Sequence, residues 1–215
     1  MVNQERIKRT RAIIEQDPLK TKLLLSCADQ GMTTLQKCLH DLSGEDVSHH
    51  TVRRRLNWLA EPPVAHNFSP LFVGEDIALA GSNGRPEKVY LLTEFGAAVL
   101  TALDPEHPVT APRIRDQADL AHRYIILKVA EKAKENNLVV QIEHRLKNLV
   151  QEIRADIYIE IDDTPLIVEV EQKLLRRNLK RAREKLIRLA KFIQAEKSTE
   201  RWQVQLVFNV RPREL

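Results

Sequence analysis

A proline-rich segment near the middle of this 215-residue chain limits what the chain can fold into. The segment 104–115, DPEHPVTAPRIR, contains three prolines. Proline lacks a backbone N–H and clashes with the preceding helical turn, so neither a helix nor a central strand runs through it. The length suits two small domains better than one. We therefore predict a linker at 104–115, an N-terminal domain at 1–103 and a C-terminal domain at 116–215.

The composition favours an ordinary globular protein of the reducing cytoplasm. Apolar residues make up 43% of the chain, which is enough for each part to bury a core. No run of 18 apolar residues predicts a membrane span, and no apolar stretch follows the charged N-terminus as in a signal peptide. Cys27 and Cys38 lie within helical patterns, so we expect buried thiols and no disulfide.

Three consecutive helical patterns are found in the N-terminal part. The first begins at Asp17-Pro18 and ends at Gly31, and the second begins at Thr33 or Thr34. The third spans 48–61, with Ser48 as its capping residue and two prolines after its last residue. Apolar residues recur along each pattern at spacings of three and four, as one face of a helix requires. The polar face of the third helix carries His49, His50, Thr51, Arg53, Arg54 and Asn57.

A β-hairpin pattern follows these helices. Segments 76–80 and 88–92 read as strands, and GSNG at 81–84 supplies the residues that a tight turn requires. Arg85 would lie at the tip of the hairpin, and a capped helix at 94–102 completes this part.

The order of these elements resembles bacterial winged-helix regulators. SHHTVRRRLNWLAE is similar to their recognition helix, and GSNGRPEKVYLLTEFG to their wing and closing helix. The resemblance implies binding to double-stranded DNA, with the recognition helix in the major groove and Arg53 or Arg54 paired with guanine. Arg85 would reach an adjacent groove or phosphate. The alternative is a winged helix that binds a protein or has only a structural role. The lack of net positive charge in residues 1–105, which contain 12 Lys and Arg against 13 Asp and Glu, favours this alternative.

The C-terminal part predicts an αβββαβ order, which makes the whole chain an α+β protein. The expected helices are 117–135 and 173–196. The expected strands are 138–146, 152–161, 165–171 and 202–210.

Three carboxylates are expected to converge on two of these strands. Alternation places Asp156 on the polar face of the second strand, and Glu169 and Glu171 on the polar face of the third. If residue 161 pairs with residue 166, Asp156 faces Glu171 and Glu169 lies diagonally beside it. Because facing like charges destabilise a sheet, a divalent cation such as Mg²⁺ or Mn²⁺ would relieve the repulsion. The alternative is a sheet face of solvated carboxylates without activity.

This pattern resembles the restriction-endonuclease-like (PD-(D/E)xK) nuclease fold. The resemblance implies that Asp156 is the motif aspartate, Glu169 the second acidic residue, and Glu171 a replacement for the usual lysine in an E-x-E variant. Ala155 stands where proline is common. Another alignment takes Glu171-Gln172-Lys173 as the E-x-K motif, but Val170 suits the buried middle position better than glutamine does. In either case Lys173 would supply a nearby positive charge to catalysis.

The predicted helix at 173–196 is strongly basic. Residues 173–197 contain ten Lys and Arg against two Glu, and residues 106–215 contain 22 basic against 17 acidic residues. Leucines, an alanine and an isoleucine form an apolar stripe that we expect to pack on the sheet, with all the basic residues facing outward. Arg176, Arg177 and Lys180 would then contact DNA phosphates. The alternative is a solvated face without a ligand.

Taken together, the motifs LLTEFG, DLAHRYIILKV, RADIYIEID and IVEVEQ resemble the replication-relaxation family of plasmids and mobile elements. That family implies a role with DNA and with other proteins of a replication or mobile-element complex. Three hypotheses follow: a metal-dependent nuclease or nickase, a regulator or replication accessory protein with an inactive nuclease-like domain, and a protein–protein adaptor. The segment 4–16 is a candidate helix for a homodimer contact.

Overall fold

The computed structural model describes residues 4–28, 30–77, 86–143, 145–147, 152–161, 164–171, 176–196 and 202–208, with the backbone alone described at 171, 176–179, 196 and 208. The described residues form two compact units. One contains the residues up to 77 together with 86–114, and the other contains the residues from 115 onward. The boundary falls near the C-terminal end of the proline-rich segment.

The N-terminal unit combines helices with a small antiparallel sheet. Its helices are α1 (Gln4–Glu15), α2 (Pro18–Leu25), α3 (Leu35–Asp41), α4 (His49–Ala60) and α5 (Glu94–Leu103), with a 3₁₀ turn at Val64–His66. Its strands are β1 (Met32–Thr34), β2 (Phe72–Ile77) and β3 (Glu87–Leu92), in the order β1-β3-β2.

Side-chain caps define where the helices of this unit begin. The side chains of Asp17, Thr34, Ser48 and Thr93 each accept a hydrogen bond from the backbone N–H three residues later. Such a cap satisfies one of the N–H groups that a helix leaves without an internal partner. The predicted starts of α3, α4 and α5 are therefore confirmed.

Several predictions for this unit need correction. The first predicted helix was expected to continue to Gly31, but α2 ends at Leu25. The short strand β1, which was not predicted, follows and pairs with β3. Strand β2 begins at Phe72 rather than at residue 76, because Phe72 is buried opposite Leu92 in the β2–β3 pair. The predicted turn at 81–84 and Arg85 lie outside the described residues.

Helix α1 belongs to the core of the N-terminal unit. Its apolar residues Ile7 and Ile14 are buried in the same cluster as Val99 and Leu100 of α5. The predicted helix is thus present, but its apolar face is already covered within the unit. The two cysteines are buried thiols that form no disulfide in the described residues.

The C-terminal unit contains a mixed sheet covered by two helices. Its helices are α6 (Gln117–Glu135) and α7 (Arg176–Glu196), and its strands are β4 (Val139–Ile142), β5 (Arg145–Lys147), β6 (Glu152–Arg154), β7 (Ile157–Ile161), β8 (Thr164–Glu171) and β9 (Gln203–Phe208). Strands β4, β7, β8 and β9 form one sheet in that order, while β5 and β6 form a separate antiparallel pair. Only β8 and β9 are parallel within the described ladders.

The two faces of the four-stranded sheet pack against different helices. Val168 and Val170 of β8 lie in a buried cluster with Ile126 of α6. Ile167 of β8 lies in another cluster, with Leu189 of α7. Because side chains alternate along a strand, Glu169 follows Ile167 onto the α7 face.

Two predicted strands are broken, and the predicted register is wrong. The segment 138–146 is divided at Glu143, whose φ is +51°, and 152–161 is divided at Ala155 and Asp156. Ile161 pairs with Thr164 rather than with residue 166, because Thr164 and Pro165 are part of β8 and not of the turn. Extending this register places Asp156 opposite Glu169 instead of Glu171. Within the described residues, no helix is long and apolar enough to cross a membrane.

Candidate functional site

Asp156 lies at the point where strand pairing stops. It immediately precedes β7, whose last ladder pair on this side is Ile157 with Val168. Its backbone oxygen accepts a hydrogen bond from Glu143 N at 2.9 Å, and its Oδ2 accepts one from Val170 N at 2.8 Å. The side chain of Asp156 therefore accepts the Val170 N–H hydrogen bond that a backbone carbonyl of a paired strand would otherwise accept. This anchoring fixes the position of the side chain, which remains 17% exposed.

Glu169 is the buried member of the carboxylate pair. It lies in the middle of β8 with a relative exposure of 1%, on the sheet face that α7 covers. Buried ionisable groups require a partner, because removal from water penalises the charged form. Glu169 is thus not one of the solvated carboxylates of a polar sheet face.

Lys185 of α7 supplies that partner. Its Nζ lies 2.5 Å from Glu169 Oε2 and 3.4 Å from Asp156 Oδ2. The prediction that every basic residue of this helix faces outward is therefore wrong for Lys185. The signal was present in the spacing, since residue 185 lies three after the buried Ala182 and four before the buried Leu189. Leu186, the next residue, also lies at helical spacing from Ala182 and Leu189. The apolar pattern alone therefore placed Leu186, and not Lys185, on the inward face of the helix.

His122 approaches the carboxylate pair from the other helix. Its Nε2 lies 3.7 Å from Asp156 Oδ1, and its side chain is 26% exposed. His122 was not among the site residues predicted from the sequence. Its signal was its position four residues before the buried Ile126, on the inward face of α6.

The pKa values of the two carboxyl groups shift in opposite directions. Burial acts to raise the pKa of Asp156, but the His122 contact, the Lys185 charge and the Val170 N–H together hold that pKa well below its usual range. Burial and the neighbouring Asp156 charge raise the pKa of Glu169 to about 7, against the opposing effect of Lys185. Asp156 is consequently the ionised member of the pair at neutral pH.

Two of the three predicted metal ligands are brought together. Oxygens of Asp156 and Glu169 contact the same ammonium group, so their lone pairs converge on one cation position. The Glu171 side chain and Lys173 lie outside the described residues. Among the side chains that the structure describes, no group of three or more His, Cys, Asp or Glu is placed to hold a metal ion. A pair of carboxylates nevertheless fits Mg²⁺, which commonly binds proteins through one or two carboxylates together with water and substrate phosphates.

Within the N-terminal unit, the polar face of α4 is exposed. His49, His50, Arg53 and Arg54 are exposed, while Thr51 is partly buried beside its cap, Ser48. In the described part of the chain, neither Arg53 nor Arg54 forms an ion pair, whereas the neighbouring Arg55 pairs with Asp17 at 2.9 Å.

Asn57 has a structural contact as well as an exposed side chain. Its Oδ1 accepts a hydrogen bond from the Tyr90 hydroxyl at 2.8 Å, which ties α4 to β3. The amide nitrogen is thus the end that remains for a partner, since Tyr90 holds the oxygen end.

The outer face of α7 forms a second basic surface. Its exposed cations are Lys180, Arg181, Arg183, Arg188 and Lys191. Within the described residues none of these five forms an ion pair. Lys180 is therefore exposed as predicted, whereas the side chains of Arg176 and Arg177 lie outside the described set.

No family model matches the chain, and no curated protein is detectably similar to it. The features of the chain that indicate a function are its two basic surfaces and the cluster of Asp156, Glu169, Lys185 and His122.

Proposed function

We propose that this chain is a DNA-binding protein whose N-terminal unit is a winged helix that docks α4 on duplex DNA. The observation that carries the proposal is the division of α4 into two faces. Val52, Leu56 and Leu59 are fully buried, while the opposite face exposes two arginines that form no ion pair in the described residues. The order α2-β1-α3-α4-β2-β3, which ends in an antiparallel hairpin, also supports this reading.

The dimensions of α4 suit the major groove. A 12-residue helix is about 18 Å long, and the groove accepts one α-helix with its N-terminal residues against the bases. His49, His50 and Arg53 lie in the first half of α4. A bidentate arginine contact to guanine contributes about 1–3 kcal/mol to discrimination between bases.

The α7 surface would add affinity without sequence preference. Its exposed cations can neutralise phosphates and release counterions, which makes binding dependent on salt. N-terminal residues 1–105 carry a net charge of −1, from 12 basic and 13 acidic residues, so the N-terminal unit alone offers little general attraction to DNA. We therefore assign base contacts to α4, and phosphate contacts to the α7 surface, including Lys180.

Fluorescence anisotropy with a labelled duplex library at several salt concentrations tests this function. Replacing Arg53 and Arg54 with Ala should weaken binding by about tenfold or more and relax sequence preference. Replacing Lys180, Arg181 and Arg188 with Gln should lower the slope of log K against log salt by up to about 0.9 for each lost phosphate contact. Arg9→Ala, an exposed arginine of α1, is the matched control. A wild-type protein without salt-dependent DNA affinity would contradict the proposal and favour the adaptor hypothesis.

A second candidate function is metal-dependent cleavage or nicking of DNA in the C-terminal unit. The convergence of Asp156 and Glu169 on one cation position favours it. These two residues would hold Mg²⁺ or Mn²⁺, which when bound supplies an activated water and stabilises charge on the phosphoryl group. The sequence resemblance to restriction-endonuclease-like nucleases implies this same activity, whereas the resemblance to the replication-relaxation family implies only a role with DNA.

The residues of the chain have separate tasks in this candidate site. The Val170 N–H orients the Asp156 carboxylate, and burial keeps Glu169 away from bulk water. Lys185 balances the charge of the two carboxylates in the metal-free protein, and His122 limits the rotation of Asp156 from the α6 side.

Incubation of supercoiled and linear DNA with Mg²⁺ or Mn²⁺ tests the second candidate. Cleavage by the wild type should be lost in both Asp156→Ala and Glu169→Ala, and should be retained in Glu160→Ala, an exposed carboxylate of β7. If DNA binding is intact but no metal produces cleavage, the chain is instead a regulator or replication accessory protein with an inactive nuclease-like domain.

A further inference from the structure

We propose that Lys185 is an internal cation of the carboxylate site, and that a divalent cation binds only when the Lys185 ammonium moves out. The inference rests on the second candidate function, because it concerns the same Asp156 and Glu169 oxygens. It assigns Lys185 the task of controlling access to the site.

The contacts of Lys185 show why both cations compete. Its Nζ lies 2.5 Å from Glu169 Oε2 and 3.4 Å from Asp156 Oδ2. Mg²⁺ binds its oxygen ligands at about 2.0–2.1 Å. An ammonium and a metal ion that share Glu169 Oε2 would therefore lie within about 5 Å of each other. At that distance, in a partly buried site, like charges repel strongly.

The residues around the site differ in their freedom to move. Glu169 is 1% exposed and cannot turn away from the site, and Asp156 is held by the Val170 N–H. Lys185 is 32% exposed and has a flexible four-carbon stem on a surface helix. A lysine in this setting can carry its charge into water while its stem stays packed. The lysine is thus the group that leaves.

The other groups that face the site remain in place after this movement. His122 approaches Asp156 Oδ1 from α6, while the Val170 N–H and Lys185 contact Oδ2. The carboxylate of Asp156 thus retains two contacts when the ammonium departs. In the metal-free protein, however, Lys185 is the cation shared by both carboxylates, so its removal should leave a poorly compensated pair.

Mn²⁺ binding, measured by the electron paramagnetic resonance of free Mn²⁺, tests the inference. We expect Lys185→Met to bind Mn²⁺ about tenfold or more tighter than the wild type, because a competing charge is removed. Lys132→Met is the control, since Lys132 is an exposed lysine of α6 that contacts neither carboxylate, and the Mn²⁺ affinity of this variant should equal that of the wild type. Adding Asp156→Asn to Lys185→Met should abolish the tight binding.

A measurement on the wild type keeps the inference testable even if Lys185→Met does not fold. In protein with ¹³Cε-labelled lysine, saturating Mg²⁺ should shift the Lys185 signal toward the positions of exposed lysines. The signal of Lys191 should not move. Lys185→Arg, which retains the charge, identifies the Lys185 signal by its loss.

The outcomes separate this inference from the function on which it rests. If the wild type binds Mn²⁺ through Asp156, but Lys185→Met binds no tighter and the Lys185 signal does not move, the inference is overturned and the metal site stands. If only Lys185→Met binds Mn²⁺, Lys185 is an internal cation and the wild-type chain is not a metal-dependent nuclease. If no protein binds Mn²⁺, both are overturned.

Discussion

Replacing Asp156 separates the two roles of its carboxylate, which accepts the Val170 N–H at 2.8 Å and lies 3.4 Å from the Lys185 ammonium. Asn retains an oxygen for Val170 but removes the charge. Ala removes both. We expect Asp156→Asn to lower the free energy of unfolding by about 1–3 kcal/mol. This is less than the 3–5 kcal/mol typical of breaking a buried ion pair, because Glu169 remains as a partner of Lys185.

Asp156→Ala should cost a further 1–3 kcal/mol or so, because it leaves the Val170 N–H without an acceptor. The difference in unfolding free energy between the two variants therefore measures the contribution of that hydrogen bond. The loss of unfolding free energy that both variants share measures the contribution of the Asp156 charge. The common loss should also shrink below about pH 4. The folded-state pKa of Asp156 is depressed, so its contribution is complete above the unfolded value and is lost as the pH falls.

Urea titrations followed by tryptophan fluorescence provide the assay. The chain has two tryptophans, Trp58 in the N-terminal unit and Trp202 in the C-terminal unit. A Trp58→Phe background leaves Trp202, which packs against Phe192 of α7, to report on the correct unit. Glu160→Gln should change stability by less than about 0.5 kcal/mol, as expected of an exposed side chain. Equal losses for Asn and Ala at position 156 would refute the role given to the Val170 hydrogen bond.

Three further predictions concern single contacts of the fold. The pKa of Glu169 is raised to about 7 in the folded protein, so the proton on Glu169 stabilises the fold at a pH below the pKa of the unfolded chain, and this stabilisation is lost as the pH rises toward 7. In the wild type the free energy of unfolding should therefore decline by up to about 3 kcal/mol between pH 4.5 and 7, and Glu169→Gln should remove that decline. Parallel pH profiles for the two proteins would contradict this. Ser48→Ala should cost about 1 kcal/mol, read from Trp58, because the cap of Thr51 N is lost, whereas Ser48→Gly should cost only a few tenths. Gly96→Ala places a Cβ 2.1 Å from the Leu71 carbonyl oxygen, so we expect a loss of about 3 kcal/mol in the same titration rather than the gain typical of alanine in a helix.

The parts of the fold that were predicted correctly depend on local chemistry. Helix α4 was predicted at 48–61 and spans His49–Ala60, because the Ser48 cap, the apolar spacing and the following prolines all act within a few residues. Helix α6 was likewise predicted at 117–135. Asp116 begins that helix by accepting the Asp119 N–H at 2.8 Å.

The parts that were missed depend on groups distant in the chain. A backbone turn at Glu143 and the Glu143 N–H bond to Asp156 interrupt two strands that alternation alone extends without a break. A register change of two residues preserves alternation. The same pattern of buried and exposed side chains therefore fitted both Glu171 and Glu169 as the residue opposite Asp156.

Residue order along the chain was sufficient to indicate two parts, the α+β composition and the pairing of Asp156 with an acidic residue on the next strand. It was not sufficient to identify Lys185 or His122 as neighbours of that pair. Periodicity and caps reflect interactions over three or four residues, so they can be read from the sequence. The carboxylate site instead joins residues 122, 156, 169 and 185, and their distances depend on how α6 and α7 pack on opposite faces of one sheet.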